Sequence, residues 1–221
     1  MMRARIESLR ASRMASACAV AIAVLLAGCA GSSSPESFFA LNDGADVRST
    51  TRGSAERSPS LPGIVISAVT VPELVDRPQI VTRDASNRVA VSEQNLWAEP
   101  IGSGIARTLA TRLARTLDDA GQPAQVAAYP QTSIATPVLR VTVDVVRFDA
   151  VPNGEAVVDA VWSIRRVSDG TVRTGRTVAS SPITGITYDA IVHSWNDALQ
   201  IVDRDIAAMV LQVGVGPALA R

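Results

Sequence analysis

Thr136-Pro-Val-Leu-Arg-Val-Thr-Val-Asp-Val-Val-Arg-Phe-Asp149 is the stretch on which the fold turns. After Val138 and Leu139, the residues Val141, Val143 and Val145 alternate with Arg140, Thr142 and Asp144. A side-chain period of two marks a strand with one buried and one wet face. Two further strand-like runs, Ala156–Val167 and Thr171–Ser180, follow it. Pro152-Asn-Gly154 marks a turn before the first of them. Asp169-Gly170, between the two, is a two-residue hairpin signal. The spacing predicts a meander of three long antiparallel strands.

Beyond the meander, Tyr188, Val192, Trp195, Leu199, Val202, Ile206, Met209 and Val213 recur at steps of four and three. That stripe predicts one helix over 188–213. Packing onto the sheet is its simplest use, and coiled-coil pairing is the competing one. Before the meander, Ile101, Ile105, Leu109, Leu113 and Leu117 predict a helix over 96–120, with Arg107, Arg115 and Asp118 opposite. Pro100 fits only a first turn, and Gly121 suits the position just past the end. Further upstream, Ile64–Val71 reads as a strand with both faces partly buried. Gln79–Arg83 and Arg88–Ser92 read as a hairpin around Asp84-Ala-Ser-Asn87. Strands, helix, strands and helix in this order imply an α+β two-layer sandwich. An antiparallel β-sheet carries two long α-helices packed on one face. Its other face is solvated or covered by a partner.

The first 28 residues have a different character. Arg3, Arg5, Arg10 and Arg13 precede an apolar run from Ala15 to Ala27, about 13 residues and too short to span a bilayer as a helix. A basic start, a short apolar stretch and small residues at its end read as a secretory leader. It closes on Leu26-Ala27-Gly28-Cys29, which is similar to the lipobox of bacterial lipoproteins. There the chain is cut before the cysteine, whose sulfur carries diacylglycerol and whose amine carries an acyl chain. An ordinary leader with an incidental cysteine is the competing reading. By the same resemblance, Ala30 rather than Asp after Cys29 favours the outer membrane, with the domain facing the periplasm. Residues 1–28 are then the signal peptide and 29–63 the lipidated Cys29 with a flexible tether. One domain covers 64–213, and 214–221 is a fraying tail.

Composition excludes several function classes. The chain carries 21 basic residues, all arginine, against 21 acidic ones, so no basic excess points to nucleic acid. Removing the leader takes four Arg and Glu7, leaving 17 basic against 20 acidic residues. A net charge near −3 gives no polybasic lipid patch. Two cysteines and one histidine are too few for a structural zinc site. Gly102-Ser103-Gly104 falls in a helix rather than after a strand, so it is no nucleophile elbow and instead allows close approach of a neighbour. His193 reads as a surface or core-edge residue. Asp118, Asp119, Asp144, Asp149, Asp159, Asp203 and Asp205 read as solvated charges. Eight aromatics are few for a sugar groove. No catalytic residue, no metal ligand and no cofactor is expected beyond the acyl groups on Cys29, and no enzyme activity.

Three segments carry a resemblance. They are Ser34-Pro-x-x-Phe-Phe-x-Leu41, Val71-Pro-Glu-Leu-Val-Asp-Arg-Pro-Gln-Ile-Val-Thr-Arg83 and Trp97-Ala-Glu-Pro100. Together they resemble the PqiC/YmbA family of ABC-type transport auxiliary lipoproteins, from the lipobox to about residue 212. Glu73-Leu-Val and the long 42–63 loop depart from the family pattern. The resemblance implies a non-enzymatic envelope subunit that partners an MCE-domain tunnel protein, its inner-membrane permease and outer-membrane lipid, with a homo-oligomer also allowed. It implies docking of the tunnel at the outer membrane. A lipoprotein that itself carries lipid and an outer-membrane assembly factor are the alternatives. The partner-binding candidates are Asp76, Arg77, Gln79, Arg83, Trp97 and Glu99. Two readings of the string compete. In one, Asp76 pairs with Arg77, Arg83 or the backbone near Trp97 and the string is a fold signature. In the other, Asp76, Arg77 and Gln79 form a rim patch stiffened by Pro72 and Pro78.

Overall fold

The computed structural model describes residues 35–41, 61–84, 86–130 and 134–214. The leader, Cys29, most of the 42–63 loop and the tail beyond Gly214 lie outside the described residues.

The meander forms as its alternation requires. β6 (Leu139–Ala150) pairs antiparallel with β7 (Glu155–Arg166), which pairs antiparallel with β8 (Val172–Pro182). Leu139, Val141, Val143 and Val145 point into the core. A bulge between Val145 and Arg147 then inserts Val146 as an unpaired extra residue. Past it, Phe148 and Ala150 take the buried side instead. The β7–β8 loop is longer than Asp169-Gly170 predicts. The Arg166 N–H donates to the Thr171 carbonyl, leaving four residues in the turn. Gly170 takes φ +71°, and the Asp169 carboxylate caps the Thr171 N–H at 2.9 Å.

β2 (Gly63–Thr70) joins this sheet and lies parallel to both its neighbours, β6 and β5 (Gln125–Ala128). The five strands run in the order β5-β2-β6-β7-β8. β5 is too short to show a period and was not expected. A second, three-stranded sheet has the order β1-β4-β3, from β1 (Ser37–Phe39), β3 (Gln79–Arg83) and β4 (Val89–Trp97). β1 lies inside the stretch expected to be tether. Its Phe38-Phe39 pairs with Leu96-Trp97, and the Phe39 carbonyl accepts from the Ala98 N–H at 2.8 Å. The β3–β4 hairpin is present, with its second strand starting at Val89 rather than Arg88.

Two helices cover one face of the five-stranded sheet, α1 (Ile101–Asp119) over β2 and β5, and α2 (Tyr188–Val213) over β7 and β8. α1 begins five residues later than its periodicity allows. Pro100 caps it in an extended conformation, and the chain before it is still paired as β4 through Trp97. All five residues of its stripe are 0–1% exposed. α2 has the expected bounds, opened by Thr187, whose hydroxyl accepts from the Ala190 N–H at 3.3 Å. The two stripes and the inward faces of both sheets share one core. The opposite face of the large sheet carries Arg140, Thr142 and Asp144, all exposed.

Candidate functional site

The Pro72–Pro78 segment is a tight turn built around one anchor. The N–H groups of Val75 and Asp76 both donate to the Pro72 carbonyl, at 2.9 and 3.1 Å. Val75 is buried, and the turn that buries it turns Asp76 and Arg77 outward. Among the described residues, neither side chain has a hydrogen-bond or ion-pair partner. The pairing of Asp76 with Arg77, Arg83 or the Trp97 backbone is therefore not the reason for this string. What ties the segment to the Trp97 region is backbone. The Trp97 N–H donates to the Pro78 carbonyl at 2.6 Å.

Trp97 is the inner wall. Its ring lies 5.6 Å from Trp195 and 6.4 Å from Phe148, and Phe148 stacks on Trp195 at 4.6 Å. The indole N–H of Trp195 donates to the Asp149 carbonyl at 3.0 Å, so this hub joins α2, the end of β6 and the end of β4. Glu99 follows. Its carboxylate accepts from Arg107 at 2.7 and 3.2 Å, and Arg107 also reaches the Leu41 carbonyl at 3.0 Å. Gly104 permits this, because a Cβ there would lie 3.3 Å from Glu99 Oε1. Gly102 likewise lets α1 approach the Val69 carbonyl, which a Cβ would meet at 3.2 Å. Both positions use the small residues as expected.

The result is an open cleft of about 330 Å³ that brings together Asp76, Arg77, Trp97 and Glu99 with Pro78, Ala98 and Pro100. Gln79 and Arg83 stand apart from it. Gln79 opens β3 opposite Leu96. Arg83, at the far end of β3, donates to Asp149 at 3.0 Å. Asp149 also accepts from Arg147 at 2.7 Å. Burial pushes this carboxyl up, but the two arginines outweigh it and hold the pKa below its usual value. Arg83 is thus held in an ion pair with Asp149, away from the cleft.

Three aspartates expected to be solvated are not. Asp149 is half-buried. Asp159 is buried and takes a two-pronged bond from Arg176 at 2.6 and 2.9 Å. Asp203 is 3% exposed between the two helices, beside a polar groove of about 380 Å³ that includes Arg115, His193 and Arg204. Its Oδ2 accepts from Thr116 at 3.5 Å, and Oδ1 has no partner among the described residues. Burial lifts its pKa to about 7 despite the nearby Arg112, Arg115 and Arg204. The spacing within α2 reads Asp203 as a solvated charge, but burial at a helix–helix seam depends on the partner helix. His193 is exposed, as expected, 3.7 Å from Asp197. Among the described residues no helix is long and apolar enough to cross a membrane.

This chain belongs to the family described as ABC-type transport auxiliary lipoprotein component, which matches residues 46–207. No curated protein matches it. Among solved structures, a crystal structure of an uncharacterized protein shares 18% identity over 80% of this chain and 99% of its own, with a TM-score of 0.62. Protein XCC0632 from Xanthomonas campestris, of the DUF330 family, shares 19% identity over 71% of this chain and 90% of its own, with a TM-score of 0.54. Both likenesses are of fold.

Proposed function

We propose that this protein is a non-enzymatic lipoprotein anchored in the outer membrane through Cys29, which docks the periplasmic MCE-domain tunnel protein of an intermembrane lipid transport system. The family supports the transport role. The observation that carries the docking site is the cleft itself. Asp76 and Arg77 stand exposed at its rim, without partners among the described residues, on a backbone stiffened by Pro72 and Pro78. Their desolvation is left for a partner to compensate, and little chain entropy is lost on contact. A protected path is the physical need that such a complex meets, since each methylene exposed to water costs about 0.8 kcal/mol.

Arg77→Glu tests this. The exposed side chain predicts a stability change within about 0.5 kcal/mol. Capture of the tunnel protein should weaken about tenfold or more, with a flatter salt dependence. Unchanged capture removes this cleft from the interface. The anchor is tested separately. Cys29→Ala should release the domain from the outer membrane or leave its leader uncleaved, and processed protein still found in that membrane sinks the lipobox.

A further inference from the structure

β2 has eight residues, but β5 accompanies only Gly63–Ile66. On that side, among the described residues, the last backbone bond runs from the Tyr129 N–H to the Ile66 carbonyl at 2.9 Å. Tyr129-Pro130 then turns away, while β2 continues along β6 to Thr70. The place where β5 would continue is an open slot of about 590 Å³. Ser67, Val69 and Val71 form its floor, Ser103 and Ala106 of α1 its wall, and Tyr129 its end. The Ser67 hydroxyl is buried there with no hydrogen-bond partner among the described residues. The slot shares Asp76 and Pro100 with the docking cleft, so the two run together.

We infer that this slot takes an extended peptide segment of the tunnel protein, added as a strand beside the second half of β2. The inference rests on the docking proposal and names what the partner inserts. An extended backbone offers N–H and C=O groups at the strand spacing of about 3.3 Å per residue, so four or five residues fill the slot from Ser67 to Val71. One of its N–H groups satisfies the Ser67 hydroxyl. Apolar side chains at alternate positions meet Val69 and Ala106. An acyl chain offers no hydrogen bond to Ser67 or to the strand edge, and it would desolvate Asp76 at the mouth without compensation. A peptide continuing past Asp76 enters the cleft beside Arg77 and Trp97.

The test is backbone hydrogen exchange on the full-length lipoprotein in detergent, with and without a purified MCE-domain tunnel protein from the same genome. Binding should slow exchange of the Ser67–Val71 amides about tenfold or more. Ser103→Trp fills the slot from an exposed helix position. It should weaken capture about tenfold while the melting temperature stays unchanged, whereas Val178→Arg on the opposite sheet face should leave capture intact. Capture with no change in these amides overturns the inserted strand and leaves the docking proposal standing. No capture by the wild-type chain sinks both. Protection of the same amides by phosphatidylethanolamine–phosphatidylglycerol vesicles alone, or by raising the lipoprotein's own concentration, assigns the slot to lipid or to a second copy and overturns the inference.

Discussion

Between Leu139 and Val213 burial recurs at every second residue along β6 on either side of its bulge and along the second half of β8, at steps of three and four in the helix, and without a break over Ala156–Ala160 of β7. Between Pro72 and Pro100 the buried residues Val75, Ile80, Val81, Thr82, Ser92 and Trp97 follow no period. The first region is held by repetition, so each residue shares its support with many others. The second is held by single anchors, with the residues between them turned outward. Repetition suits a scaffold, and sparse anchoring leaves Asp76, Arg77 and Ala98 exposed. The two regions meet at Trp97, Phe148 and Trp195.

That junction is where the contrast breaks most easily. Trp195→Ala removes the largest fully buried side chain and its bond to the Asp149 carbonyl, and should cost about 3–5 kcal/mol in urea unfolding. A loss below about 1 kcal/mol would mean that the irregular segment folds independently of the scaffold. Next comes the charge buried within the periodic region. The folded pKa of Asp203 lies above its ordinary 3.8, at about 7, so the folded chain holds this proton more tightly than the unfolded one. The contribution of Asp203 to stability should therefore be fullest below about pH 4, fall as pH rises towards about pH 7, and level off above, a change on the order of 4 kcal/mol. Asp203→Asn should flatten that fall and be the more stable variant at about pH 8, which denaturant midpoints across pH will measure. Gly175 gives a smaller effect. A Cβ there would lie 2.2 Å from the Trp162 ring, which donates its N–H to Thr177 at 3.1 Å. Gly175→Ala should displace the ring and cost about 1–3 kcal/mol, read by melting and by indole fluorescence. Arg77→Glu lies at the bottom of the scale for stability and at the top for capture.

The same contrast explains what was legible. The meander and both helix stripes stand out in the sequence because a local period is a property of consecutive residues. β1 and β5 have three and four residues, too few for a period, and each depends on a partner strand far away in the chain. The parallel placement of β2 is likewise a property of pairing. In the cleft, Asp76, Arg77, Trp97 and Glu99 come from two segments joined by the Trp97–Pro78 backbone bond, so their string was legible and their meeting was not. Arg83 belongs to the same string, but a strand of five residues carries it to the other end. The burial of Asp203 depends on α1, about ninety positions away in sequence, and no spacing within α2 announces it.

Val146 has the role of a parity bit. Up to it the odd-numbered residues of β6 face the core, and after it the even-numbered ones do. Its own side chain is 52% exposed, so its chemistry matters little. Pair Val146 in regular alternation, with no bulge, and Phe148 and Asp149 exchange sides, which sends the aromatic stacked on Trp195 into water and a carboxylate into the core. Substitution here should be nearly silent, and deletion should close the bulge with Phe148 still opposite Val158. The bulge thus sets the phase of the strand that carries Phe148 into the hub beneath the cleft.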